Sequence, residues 1–462
     1  MARFPLFGIS QEGKSVTVTA QRRLNLYAEI NNPEDKSPIS FYPTPGLTLF
    51  ADAGQPVRGW RVVLGRWFVV AGSGFYELSN VGVFTLRGNL STSSGSVDLS
   101  DNGLQVIIVD GAGYSFVLAT NTFATIADPD FPGATTVTFD SGFNIVNKPN
   151  TGQFWISNSY DVTNWVATNF ATAEANPDSL VRVFTDQGQL ILFGDVSTEF
   201  WINAGATDFP YQRIGSAVVE WGLVARFSVT KFNRSIICLM RNLLGQQQVV
   251  TLNGYLPTPI STPEVDYAIS QYSTVTDAIA FSYNLGGHAF YEINFPTAAK
   301  TWLYDGLTQL WSELESSGAR HRANFGIQYT GKTYVSDWAN GSIYLLDTTV
   351  YTDNGSEIAR EIIGRHVYAE EEKPLGTIQI EFQPGVGTVS GQGSNPMASL
   401  QISRDGGFTY GPEKFAGIGK IGEYLARARW LRNGRAKDFI YKIRITDPAY
   451  PVITGAWLDE AA

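Results

Sequence analysis

The chain has 462 residues, of which 44% are hydrophobic, 13% aromatic and only 16% charged, with 46 glycines and one cysteine. Such a composition excludes a helical or disordered protein in favour of many short strands, and the lone Cys238 excludes an intrachain disulfide or a cysteine-built metal site. The net charge of −10 is unevenly placed: residues 401 to 445 hold ten Lys or Arg against four Asp or Glu, a local +6, leaving −16 for the rest.

The opening MARFPLFGISQEGKS shows no basic start leading into a long apolar stretch and no cleavage pattern, so synthesis in a host cytoplasm is expected. No apolar run approaches the roughly 20 residues of a membrane-spanning helix, and insertion into a bilayer by this chain is not expected. Residues 1–56 include NNPEDKSPISFYPTPGLTLF and read as an extended, turn-rich docking arm.

Between Val57 and Asp347 one phrase recurs seven times: an apolar β-type run, a Gly-bearing turn, then a pair of bulky strand residues. The pairs are Phe75-Tyr76, Tyr114 with Phe116, Phe154-Trp155, Phe200-Trp201, Val249-Val250, Phe290-Tyr291 and Ile343-Tyr344. Their spacing of roughly 40 to 50 residues is that of β-propeller blades. In the first unit GWRVV, WFVVAG, FYEL and VFTL are separated by turns at Leu64-Gly65-Arg66, Gly72-Ser73-Gly74 and Asn80-Val81-Gly82, which predicts a four-stranded meander. The expected fold is all-β, a β-propeller of six to seven blades over residues 57–350 with an N-terminal arm and a C-terminal β segment. One helix interrupts it: Thr262 caps, Pro263 suits the first position, and Val265, Ala268, Ile269 and Tyr272 fall at helical spacing. Trp165, Trp201, Trp221, Trp302, Trp311 and Trp338 fit sugar-stacking platforms or inter-blade filler, and strand positions favour the filler.

From residue 351 to 462 the rhythm changes. An acidic knot, AEEEKP, and a Gly-rich loop, PGVGTVSGQGSNP, precede three strand patterns, ASLQISRDGG, LARARWLRNG and FIYKIRIT. These read as one three-stranded unit with hairpin turns at 404–407 and 433–434, able to return to the propeller and close it. Ser403, Asp405, Gly407, Thr409 and Tyr410 match the Asp-box of propeller hairpins, in which Asp and Thr bond turn backbone groups and the aromatic packs beneath, a structural and not a catalytic role. Gly417 to Gly422 spells GxGxxG, but no buried strand leads into it and no crossover helix follows, so a dinucleotide site is not expected. His288, His321 and His366 lack metal-ligand spacing. No cofactor, metal or catalytic residue is assigned. Arg427 with Arg429, and Lys442 with Arg444, share strand faces by the two-residue period; they are either a solvated face or tentative partner contacts.

The phrases SNSYDVTNW, FATAEANPDSLV, LILFGDVSTEFW, FPYQRIGSAVVEWG, NGYLPTPISTPEVDYAI, GGHAFYEINFP and KTWLYDGLTQLW follow one another from Ser157 to Trp311. In that order they resemble the packaged-DNA stabilisation proteins, or tail hub (nozzle) proteins, of short-tailed bacteriophages. RRLNLYAEI with SFYPTPGLTLFA resembles the family's opening, and SRDGGFTYGPE, GKIGEYLARARWLRNG and ITDPAYPV its end. The resemblance implies a structural virion component and not an enzyme. It implies a propeller-based homo-hexamer beneath the portal and its head-to-tail adaptor ring, carrying double-stranded DNA outward without sequence specificity. Tail spikes, fibres or a needle would bind it. No residue list for channel or contacts comes with it. A competing class is a tail-associated glycan-binding or glycan-cleaving propeller, which would bind free sugar without assembly. Six copies would carry about sixty negative charges, so a net negative channel wall is expected, with the basic 401–445 segment turned to protein partners.

Overall fold

The computed structural model describes residues 2–3, 11–32, 34–35 and 37–460. In the first repeat, Val57–Val63, Arg66–Ala71, Gly74–Leu78 and Phe84–Asn89 pair antiparallel in chain order. The first turn is tight because Leu64 and Gly65 both take positive φ, +49° and +77°, the backbone that matches a hairpin's twist. Trp67, Phe68, Val69 and Val70 are all fully buried, since the sheet is covered on both faces by neighbouring blades.

Residues 98–125, 137–172, 180–219, 221–259 and 279–316 repeat the plan, and a seventh sheet takes three strands from 323–347. Seven blades therefore surround the axis. Six are separate sheets, and the sixth blade in order, residues 279–316, runs on at its outer edge into a second domain. Six of the seven bulky pairs fall on the third strand of their blades; Phe290-Tyr291 falls instead on a second strand, His288–Phe295. The helix Pro263–Ser270 lies between the fifth and sixth blades, capped by Thr262, with Val265 and Ile269 buried.

Closure differs from expectation. The fourth strand of the seventh blade is Gly46–Asp52, paired with Ser342–Asp347, so the arm and not the C-terminus completes the ring. Gly46 is required there: a Cβ would sit 2.4 Å from the Val350 carbonyl oxygen and 2.6 Å from that of Thr352.

The C-terminal region forms a sandwich. One sheet runs Lys414–Gly417, Met397–Ser403, Arg435–Ile445, Arg360–Ile363, Arg22–Leu24; the other contains Ala428–Trp430, Val367–Phe382, Ile453–Glu460, Ile39–Pro43 and Leu26–Ile30. The long strand Val367–Phe382 crosses between them, pairing first with Arg435–Ile445 and then with Ala428–Trp430 and Ile453–Glu460. Leu26, Phe41, Ile380, Leu400, Trp430, Tyr441 and Ile443 fill the space between. The arm over 22–52 is thus built into its own chain, because Leu24, Leu26, Ala28, Phe41 and Leu47 are buried. Residues 1, 4–10, 33 and 36 of the arm lie outside the described residues. The three C-terminal strand patterns do not form one sheet: Ala428–Trp430 pairs in the second sheet, and the other two in the first.

Candidate functional site

The Asp-box folds as its pattern requires. Ser403 Oγ donates to Asp405 Oδ1 at 2.7 Å, the Gly407 amide donates to Ser403 Oγ at 2.9 Å, and the Thr409 amide and hydroxyl both donate to the Asp405 carboxylate. Those bonds, the Thr409 hydroxyl's first, hold the Asp405 carboxyl down at about 2. Tyr410 is half-buried with the Lys442 ammonium 5.2 Å from its ring centre. Both Asp405 oxygens accept bonds from within the turn, so Asp405→Asn is expected to raise amide hydrogen exchange across 406–410 while leaving the global unfolding midpoint nearly unchanged. The turn's share of stability is present above the ordinary carboxyl range and fades as pH falls towards 2.

The basic quartet is not one patch. Arg427 and Arg429 are both exposed on one side, Arg429 in Ala428–Trp430 and Arg427 just before it: Arg427 Nε lies 3.7 Å from Glu381 and Arg429 Nε donates to Gln379 at 2.7 Å. Lys442 and Arg444 share a face of the first sheet, across the core, and are half-buried. Lys442 belongs to a chain of alternating charges along the seam between the domains. Leu24 pairs in parallel with Glu313 on the outer strand of the sixth blade, making propeller and sandwich one continuous sheet. Over it run Lys300, Glu313, Arg22, Glu361 and Lys442, with nitrogen–oxygen separations of 3.9, 2.7, 3.4 and 3.2 Å.

Inside the propeller, the inner strands of all seven blades surround a cavity of about 720 Å³. That is a small-molecule volume. Its charges are internally paired, Arg61 with Asp101 at 2.9 Å and Arg182 with Asp98 at 3.3 Å. Four of the six singled-out tryptophans, Trp165, Trp201, Trp302 and Trp311, are buried filler, whereas Trp338 is exposed with the Arg320 guanidinium 4.8 Å from its ring centre.

The three histidines each face one carboxylate: Asp305, Glu292 and Asp438 for His288, His321 and His366. No group of metal ligands is present among the described residues. For His321, burial opposes the charged ring, but the Glu292 charge and hydrogen bond at 2.8 Å outweigh it and raise the imidazole above its usual value. A raised folded value means stability that is complete below about pH 6.5 and lost as pH rises from there through the higher folded value. His321→Gln is expected to flatten this alkaline slope, read as unfolding midpoints across pH 6 to 9. An unchanged slope would place the titration elsewhere.

Two family models part between residues 351 and 359, near where the last blade ends, although the structure also puts Arg22–Leu24, Leu26–Ile30 and Ile39–Pro43 in the sandwich. "Bacteriophage P22 Gp10, beta-propeller" matches residues 2–351 and "Bacteriophage P22 Gp10, beta-sandwich" matches residues 359–459. The chain belongs to the bacteriophage P22 Gp10 family. As a Gp10-family member it is a structural protein of the phage virion tail. No curated protein matches the chain. Among solved structures it is similar to the computationally designed Ika8 protein, at 10% identity over 71% of this chain and 100% of that chain with a TM-score of 0.40. It is also similar to the WD40 propeller domain of Doa1, at 10% identity over 65% and 97% with a TM-score of 0.40. Neither likeness bears on function.

Proposed function

We propose that this Gp10-family chain forms a hexameric tail hub that docks beneath the portal's adaptor ring, retains packaged DNA and conducts it during ejection. The observation that carries the reading is the match to Gp10 over both domains in order. The propeller supports it by exclusion: its axial cavity of about 720 Å³, lined by ion-paired side chains, is of small-molecule size, so a duplex would have to pass between copies. A ring closed by a repeated heterologous contact gives such a passage. A net negative wall would let DNA slide, because no counterions are released by binding to it. In the basic quartet Arg427 and Arg429, although they touch Glu381 and Gln379, are the exposed members within reach of a partner, whereas Lys442 and Arg444 are half-buried. The test is particle mass and symmetry, alone and with the adaptor complex, by mass photometry and electron microscopy. A six-fold ring on the adaptor is expected; a monomer that ignores the adaptor overturns the reading.

A further inference from the structure

Charge is divided between two parts of the protomer. Residues 98–220, the second to fourth blades, hold fourteen Asp or Glu and three Lys or Arg, a net of −11, more than the −10 of the whole chain. The sandwich segment 401–445 holds ten Lys or Arg and four Asp or Glu, a net of +6. The sandwich is attached to the outer strand of the sixth blade. In a ring of seven the second and third blades lie farthest from the sixth, one three steps away in each direction, so they face the sandwich-bearing blade from across the ring.

Each side also carries an apolar feature that its own chain leaves uncovered. On the sandwich, two glycine-rich loops interlock. Gly385 lies so close to Tyr424 that a Cβ there would sit 2.8 Å from the ring, and Gly387 faces Lys420 Cα at 3.2 Å. The Ile418 amide donates to the Pro396 carbonyl at 3.0 Å and the Thr388 amide to Gly393 at 2.8 Å, so the tip is a held surface. From it project Val389 (91% exposed), Leu425 (92%), Tyr424 and Ile421, beside Lys420 and Arg427. On the third blade, the outermost strand Asp161–Thr172 skips register between Trp165 and Phe170, so residues 166–169 stand out of the ladder; the Trp165 and Ala167 amides donate instead to Asp128 and Asp130. Val166 and Phe170 are each 37% exposed along it and Tyr160 precedes it at 51%. Around them stand Asp128, Asp130 and Asp161. None of these is ion-paired among the described residues, and no Lys or Arg occurs between Lys148 and Arg182.

From this we infer that the sandwich tip of one copy docks on the outer strand of the third blade of the next, with Leu425 and Tyr424 against Val166 and Phe170 and with Lys420 and Arg427 facing the Asp128, Asp130 and Asp161 carboxylates. The inference rests on the ring reading and specifies its contact. Both halves are apolar and opposite in charge, and they lie on separate parts of one chain, so the contact is head-to-tail and propagates into a ring instead of stopping at a pair. The charged rims would steer encounter and fix register, and the apolar centre would supply the holding force.

The test uses assembled tails recovered from particles carrying Leu425→Cys together with Val166→Cys; Cys238 is fully buried and cannot compete. Under mild oxidation a ladder of linked copies up to the full ring is expected, absent from either single variant. A six-fold ring without the ladder overturns the contact while leaving the ring reading intact, whereas absence of any ring counts against the reading itself. Linked pairs from Leu425→Cys alone would mean tip against tip and would also overturn it. Because a basic, apolar tip also suits an anionic membrane, flotation of the purified chain with phosphatidylserine vesicles, lost in Leu425→Asp, would reassign the tip to lipid. A charge swap gives a second readout: Arg427→Glu and Asp161→Lys should each lower the assembled fraction about tenfold, and the pair together should restore it. Equal loss in the double variant would reject the pairing.

Discussion

Leu47→Ala is expected to destabilise the propeller by about 2–5 kcal/mol, the cost of removing a fully packed Leu and leaving a cavity. Leu47 is 2% exposed on the strand that closes the ring, packed with Phe281, Tyr283, Phe290, Leu303 and Tyr344. It therefore joins the sixth and seventh blades at the point where the circle is sealed by a segment from the other end of the chain. Gly46→Ala approaches the same closure from the backbone side, since its methyl would meet the Val350 and Thr352 carbonyls; a loss of comparable size is expected. Urea unfolding followed by tryptophan fluorescence reads both. If neither variant moves the midpoint, the ring is held by the blade contacts alone and the closing strand is dispensable.

Arg22→Ala should have the second large effect, and of a different kind. Arg22 bonds both Glu313 oxygens, at 2.9 and 2.7 Å, and reaches Glu361 at 3.4 Å. Its guanidinium is raised above its ordinary value: burial opposes the charge, and the Glu313 and Glu361 carboxylates more than reverse that. Removing it leaves two half-enclosed carboxylates facing each other with only Lys300 and Lys442 at the ends of the row. Breaking a fully buried pair costs about 3–5 kcal/mol, and because the Arg22 side chain keeps 22% of its surface exposed a loss towards the lower end of that range is expected. Because the row lies on the seam, unfolding is expected to split into two transitions, one for each domain. A single transition at the original midpoint would show that the sheet pairing alone couples the domains.

Much of the propeller was legible because its signals are local. A Gly-Gly or Leu-Gly turn and the aromatic pair after it lie within a few residues of each other, and repetition turned a weak pattern into an architecture. The same holds for Ser403, Asp405 and Thr409, whose bonds all lie within seven residues. What escaped is non-local. Period two correctly put Arg427 and Arg429 on one face, but it could not say which strand lies alongside, so their separation from Lys442 and Arg444 was invisible. Arg22–Leu24 is three residues long and finds its partners near positions 313 and 361; nothing in its composition marks it as the joint between domains. His321 and Glu292 are 29 residues apart with no motif between them, and only the fold brings them together.

The strand that seals the ring has a consequence in time. Gly46–Asp52 leaves the ribosome early, yet the strand it must pair with, Ser342–Asp347, follows roughly 300 residues later. At about 5–20 residues per second, the closing strand waits on the order of 15 to 60 seconds with its hydrogen-bonding edge unsatisfied. Arg22–Leu24 waits for Arg360–Ile363 in the same way. The nascent chain is thus an open arc with a sticky leading edge until Ser342–Asp347 has emerged, and a host chaperone able to shield one short strand would act in that interval.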